Sequence, residues 1–243
     1  MNFAEQPDRF DLATVLDAGH YADLVEHCGL AATLGRISRE LGIELGEIRP
    51  TSEWPPAVYK TAQVASDRGP MRISLGLGRR FFSVALDNAD ANFVWASGGS
   101  TDLRQVVEVL DAWRRGATLR ELGESHPFMR YSRLSQGYEN GNPVETQWDI
   151  VIGDDTFRAY RRLLQALNAD PDLRRAFPYF SHWILRLAKD CHDAEAGLLF
   201  VKPNPEDGEE GYVLWSSAAP ERTRAFSRLD EMVQAARDML HEL

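Results

Sequence analysis

Apolar positions along this chain follow two periods in alternation, the 3.6-residue period of a helix and the two-residue period of a strand. From His20 to Leu41, the residues Leu24, Val25, Cys28, Ala31, Ala32, Leu34 and Ile37 recur near helical spacing, with Gly29 and Gly35 as weak points and Gly42 as a stop. The prolines of IRPTSEWPP (48–56) end that pattern, because each removes a backbone donor and restrains its predecessor. Alternation then predicts strands at AVYKTAQV (57–64), RISLGL (72–77), FFSVAL (81–86) and NFVWAS (92–97). In the second of these, Ile73, Leu75 and Leu77 share a face; in the third, Phe82, Val84 and Leu86 do. The short turns GRR and DNADA between the runs favour an antiparallel meander. A helix follows in GGSTDLRQVVEVLDAWRRG (98–116), where Leu103, Val106, Val107, Leu110 and Trp113 make one stripe and Gly116 the stop. Thr118-x-x-Glu121 fits a capping box opening a short helix that His126-Pro127 closes.

The pattern then repeats in outline. Residues 127–147 carry no sustained period and read as an irregular stretch. Phe157, Tyr160, Leu163, Leu164 and Leu167 predict a helix over about 155–168, and PDLRRAF a turn leading into a strand HWILRLA (182–188). Strands GLLFV (197–201) and YVLWS (212–216) flank the acidic loop PNPEDGEEG, and Phe226, Leu229, Met232, Val233, Ala236, Met239 and Leu240 line a C-terminal helix. The fold class is therefore α+β: two pseudo-repeated helix–antiparallel meander–helix units, with helices covering one face of each sheet. The expected boundaries are an N-terminal arm (1–18), a first unit (19–126), an irregular connector (127–154) and a second unit (155–243). Trp95, Leu110, Trp113, Phe157, Leu187, Trp215 and Phe226 are the expected core.

Composition narrows the function classes. An apolar fraction of 44% with 26% charged residues is ordinary globular usage and argues against disorder. With 27 Lys and Arg against 37 Asp and Glu, the formal charge of −10 repels phosphate backbones, so no nucleic-acid partner is expected. No stretch approaches the roughly 20 apolar residues that span a bilayer, and the N-terminus lacks a secretory pattern. Only Cys28 and Cys191 are present, which suits a reducing compartment; the expected setting is cytoplasmic, with no membrane partner.

FPYFSHWILRLAKDCHD (177–193) gathers the densest chemistry. Cys191, His192 and Asp193 are consecutive, and neighbouring strand residues point to opposite faces, so no metal site is expected; the pair Cys191–His192 should lie outside the sheet. His182, where a loop enters the predicted strand, is the candidate acid–base residue. On that strand His182, Ile184 and Arg186 share a face suited to an anion, whereas Trp183, Leu185 and Leu187 face the helices. Cys28 reads as an inert thiol on a buried helical face. GGSTD (98–102) lacks a phosphate-loop frame and reads as a cap, GLGRR (76–80) as a hairpin turn, so no cofactor is expected. In the irregular stretch, Arg130, Tyr131, Arg133 and Tyr138 interleave cations with aromatic surface, a pattern suited to a peptide or an anionic metabolite.

Three segments resemble an actinobacterial family labelled natural-product biosynthesis protein. They are WASGGSTDLRQVVEVLDAWRRGATLRELGESHPFM (95–129), VETQWDIVIGDD (144–155) and PDLRRAFPYFSHWILRLAKD (171–190), the similarity covering roughly 57–217. The family's small residue after Ser-His is Trp183 here. The resemblance implies a secondary-metabolite setting and no particular reaction. The expected function is an accessory protein that binds a peptide, a pathway intermediate or a partner enzyme through a cleft between its halves. The alternatives are a cofactor-independent enzyme using His182, assisted by Arg130 or Arg133, and an immunity-type protein that neutralises a toxin.

Overall fold

The structure, a computed structural model, describes residues 11–89, 93–193, 197–204 and 211–243. The chain divides into two compact units at Ser132/Arg133, each with its own apolar core. Each unit contains a five-stranded antiparallel sheet in meander order, so the α+β class holds.

In the first unit, helices α1 (Leu12–Leu16), α2 (Ala18–Glu26) and α3 (Leu30–Glu40) precede β1 (Ile48–Arg49), a single helical turn α4 (Ala57–Lys60), and strands β2 (Thr61–Ser66), β3 (Gly69–Leu75), β4 (Phe82–Asp87) and β5 (Val94–Ser100). Helices α5 (Leu103–Arg114) and α6 (Leu119–Ser125) follow. The long helix expected over 20–41 is broken, because Cys28 (φ 61°) and Gly29 (φ 109°) leave helical space between α2 and α3. Cys28 is accordingly exposed, not buried on an apolar face. Gly42 (φ 67°) does stop α3, and the Ile43 N–H closes back on the Ser38 carbonyl at 2.8 Å. The expected strand 57–64 begins four residues late: the Val58 N–H reaches back to Trp54 O, so the residues after Pro56 first make a helical turn. Residues 12–16, expected in a loose arm, form α1, Ala18 opens α2, and Leu16 is buried in the first core. Part of the arm (1–10) and of the DNADA turn lie outside the described residues.

Alternation in β2–β4 sends Ala62, Val64, Met71, Ile73, Phe82, Val84 and Leu86 inward onto α5, whose Val106, Val107, Leu110 and Trp113 are buried. Leu77, expected on that face, lies beyond β3 and is exposed. Asp102 caps α5 by accepting from the Arg104 N–H at 2.9 Å, and the capping box at Thr118 and Glu121 is complete. Gly98 has a packing reason: a Cβ there would lie 2.2 Å from the Phe128 carbonyl oxygen. Its absence lets residues 128–130 run along the edge of β5, where Ser97 and Arg130 exchange two 2.8 Å hydrogen bonds.

The second unit opens with helices where an irregular connector was expected: α7 (Arg133–Glu139) and α8 (Pro143–Gly153). They form a helical hairpin whose turn uses Gly141 (φ 75°) and whose close approach places Thr146 against Gly137. Trp148 on α8 is buried and donates from Nε1 to the carbonyls of Arg174 and Ala176, 3.0 Å each. A 3-10 segment Asp155–Tyr160, helix α9 (Arg161–Ala169) and a 3-10 turn Leu173–Arg175 lead into the sheet. Its strands are β6 (Phe177–Ser181), β7 (Ile184–Ala188), β8 (Leu198–Asn204), β9 (Gly211–Ser216) and β10 (Arg224–Phe226), followed by α10 (Leu229–Glu242). Part of the acidic loop, 205–210, lies outside the described residues. Phe226 belongs to the edge strand β10 and not to the C-terminal helix.

Of the expected core, Leu110, Trp113 and Leu187 are buried, whereas Trp95, Phe157, Trp215 and Phe226 are half-buried. Trp215 is displaced by its own strand: Tyr212, Leu214 and Ser216 are the inward positions of β9, so Trp215 points the other way. Trp113→Ala, which empties the centre of the first core, should lower stability by roughly 3–5 kcal/mol in urea denaturation. Trp95→Ala should cost clearly less.

One ion pair ties α10 to the start of the second sheet. Asp170 is buried and accepts from Arg237 Nε at 2.8 Å and from the Leu173 and Asp172 N–H groups at 3.1 and 3.0 Å. Burial pushes its carboxyl up, and the Arg237 guanidinium and these backbone donors outweigh it, so it titrates below the ordinary carboxylate value. The folded value is depressed, so this stabilisation is present above the ordinary range and fades as pH falls through the folded value. Arg237→Ala should lower stability at neutral pH by leaving the Asp170 carboxylate without its cation, and the gap to the unsubstituted protein should close in acid.

Candidate functional site

The β6–β7 hairpin sets the geometry of the site. Its two-residue turn is His182–Trp183, with φ of 53° and 62°, the left-handed conformation that such tight hairpins require and that glycine or asparagine usually supplies. Here Tyr160 donates its hydroxyl hydrogen to the Trp183 carbonyl, and Phe157 meets the Trp183 ring edge-on at 6.4 Å. The expected strand 182–188 therefore begins at Ile184, and FPYFS (177–181), of which only Phe177 fell in the expected turn, is a strand of its own. Trp183 is exposed at 62%, because it sits in the turn and not on the helix-facing side. Leu185 and Leu187 do face the helical core, and Arg186 lies on the opposite face. His182 is at the hairpin tip, exposed, with its Nδ1 3.1 Å from the Ser181 hydroxyl; among the described residues no carboxylate pairs with it.

Pairing across the sheet aligns Tyr179 of β6, Arg186 of β7, Phe200 of β8 and Trp215 of β9 in one row, on the face away from the helices. The Arg186 guanidinium carbon lies 5.8 Å from the Tyr179 ring centroid and 5.4 Å from that of Phe200. Phe200 and Trp215 stack at 5.2 Å with planes 5° apart. The Arg186 Nε–H is buried without an acceptor, and among the described residues the side chain forms no ion pair. A row on the outer face of the first sheet runs through Arg49, Gln63, Arg72, Ala85 and Ser97. There Arg72 is neutralised by Asp87, its Nη2 reaching Oδ1 at 2.9 Å. One row is polar; the other is aromatic around a cation that has no ion-pair partner among the described residues.

Aromatic surface extends from this row toward α7. Phe177, two residues before Tyr179 on β6, lies 6.5 Å from it and 6.4 Å from Tyr138, which in turn meets His192 edge-on at 5.6 Å. The Tyr138 hydroxyl donates to the Cys191 carbonyl at 2.8 Å, and burial, then the neighbouring Cys191 and Asp190, push its pKa up to about 12. Cys191 and His192 lie beyond the end of β7, outside the sheet, and burial pushes the Cys191 thiol up, away from a reactive thiolate. They border a cavity of about 840 Å³ floored by Trp148, with Glu145 and Asp149 from α8 on one side and Arg174 and Arg175 on the other. Among the described residues no three His, Cys, Asp or Glu side chains gather closely enough to hold a metal ion.

Of the residues singled out from sequence, Arg133, Tyr138, His182 and Arg186 belong to the second unit. Arg133 is engaged with Asp149 at 2.8 Å. Arg130 and Tyr131 belong to the first unit, where Arg130 is exposed beside β5 and Tyr131 packs on the first core. Phe177, Tyr179, Phe200 and Trp215 were not anticipated as site residues. The signal was present: each occupies the outward position of its strand, where alternation ordinarily places a polar residue. The sequence matches no family model, no curated protein and no solved structure, and no helix among the described residues is long and apolar enough to cross a membrane.

Tyr138 gives a pH-dependent test of this region. Its folded pKa is raised, so its contribution is full below the ordinary tyrosine value of about 10 and is lost as pH rises through about 12. Tyr138→Phe should cost about 1 kcal/mol at neutral pH by orphaning the Cys191 carbonyl. The stability difference between the two proteins should shrink with rising pH; parallel curves would contradict the assignment.

Proposed function

We propose that this protein is a non-catalytic accessory protein of natural-product biosynthesis that binds a peptide, a pathway intermediate or a partner enzyme, using the aromatic outer face of its second sheet. The observation that supports this most is the row Tyr179–Arg186–Phe200–Trp215, set against the polar row on the outer face of the first sheet. Aromatic rings and arginine are the side chains most enriched where binding energy concentrates. The setting rests on the family resemblance of the three segments and on the expected cytoplasmic location. Descent of the two units from one duplicated segment belongs to the same proposal, supported by their shared order of helices, five-stranded meander and helix. The enzymatic alternative has less support, since His182 stands exposed at a hairpin tip with only the Ser181 hydroxyl at its ring.

The test is affinity capture from producing cells and from their metabolite extract, with the unsubstituted protein beside a Phe200→Ala/Trp215→Ala double variant. These side chains lie outside the second core, so the variant should fold. Enrichment of a protein or small molecule that the double variant loses is the expected result. An identical bound set for both proteins, or no bound set at any salt concentration, rules the reading out.

A further inference from the structure

We infer that the face around Arg186 recognises a carboxylate carried on an extended peptide with aromatic side chains at the alternate positions beside it. This rests on the binding reading above and specifies its ligand. Arg186 is held between the Tyr179 and Phe200 rings, and its Nε–H has no acceptor. A guanidinium confined in this way presents its remaining N–H groups in a fixed fork, the geometry that a carboxylate fits with two parallel hydrogen bonds. Arg72, on the outer face of the first sheet, already has such a partner in Asp87. Arg186 has none among the described residues, which leaves its guanidinium open to a carboxylate brought by a ligand.

The body of the ligand follows from the row and its extension. Neighbouring groups along Tyr179, Arg186, Phe200 and Trp215 are 5.2–5.8 Å apart, and aromatic surface continues through Phe177 to Tyr138. A track of that length suits an extended chain better than a compact metabolite. On an extended peptide, side chains facing one way recur about every 6.8 Å, so an aromatic–x–acid–x–aromatic pattern sets ring, carboxylate and ring above successive groups of the row. Single-stranded nucleic acid also stacks on aromatic sheet faces, but a net charge of −10 opposes its phosphates.

The experiment uses the full chain and two synthetic probes, acetyl-Phe-Ala-Glu-Ala-Phe-amide and its Gln counterpart, followed by titration of the arginine side-chain Nε–H signals in NMR. The Glu peptide should give a saturable shift of the Arg186 Nε–H signal, and the Gln peptide should bind at least tenfold more weakly. Arg186→Lys, which keeps the charge and loses the fork, and Arg186→Gln should each lose that tenfold preference while melting near the unsubstituted protein. Equal binding of the two peptides, undiminished binding by both variants, or no shift with either peptide at millimolar concentration overturns the inference. So does a response to N-acetyl-phenylalanine as strong as to the Glu peptide, to an oligothymidylate alone, or a face occupied only by a second copy of the chain. If the partner set captured from cells depends on Phe200 and Trp215 but not on Arg186, the face is still a binding surface and only the carboxylate assignment fails.

Discussion

A turn of two residues fixes the face on which every side chain of β6 and β7 emerges. His182 and Trp183 both take the left-handed conformation, and in a hairpin this short the turn sets the pairing register. Ser181 then pairs with Ile184, Phe180 with Leu185, and Tyr179 with Arg186. A slip of one residue would bring Leu185 and Leu187 out of the core and bury Arg186 in it. For two residues with a Cβ, the left-handed conformation costs on the order of 1–2 kcal/mol each. The Tyr160 hydroxyl on the Trp183 carbonyl and the stacked Phe157 and Phe180 rings, 3.8 Å apart, hold the turn from the helical side. The core therefore stabilises a turn whose outcome is displayed on the opposite face.

How far the sequence foretold this structure depended on how each signal is encoded. β4 and α5 were legible because their apolar positions keep one period for a whole element: Phe82, Val84 and Leu86 in the strand, Val106, Val107, Leu110 and Trp113 in the helix. The caps at Asp102 and Thr118 were legible because capping chemistry is local. Helices α7 and α8 were not, since α7 spans only Arg133–Glu139 and α8 buries only Trp148 and Val151 against the core. Their hairpin depends on Gly137 admitting Thr146, a tertiary fit with no periodic trace. Arg186 was found as a site residue by alternation, but its ring neighbours Tyr179 and Phe200 lie on two other strands. Which residues flank it is a matter of register, and register does not appear in any single segment.

The two sheets share their strand order and differ in what they show on the outer face. In the first, outward positions carry Gln63, Ser74, Ser83, Ala85 and Ser97, Arg72 is neutralised by Asp87 within the sheet, and Arg49 on the edge strand pairs with Glu47. Polar and small residues there need no partner. In the second, the outward positions include Phe177, Tyr179, Ile184, Phe200, Val213 and Trp215, half-buried and still in part available, alongside Ser181, Arg186 and the exposed Lys202. Leaving aromatic surface in water forgoes about 25 cal/mol for each square ångström, a cost that stability alone gives no reason to accept.

The energetics at Arg186 lead to the same conclusion from a second direction. An unsatisfied buried donor costs roughly 1–3 kcal/mol, while a guanidinium near two ring faces regains about 0.5–1 kcal/mol from each where it is exposed and more where it is desolvated. These terms nearly cancel, so the arrangement is tolerated without adding to the stability of the fold. A hydrophobic side chain at position 186 would suit the neighbouring rings better, and a carboxylate within the sheet, as in the first unit, would satisfy the donor. Neither is present. The side chain is held in one geometry by rings that cannot accept its hydrogen bonds, and an acceptor brought by a ligand would gain those bonds without having to order the arginine first.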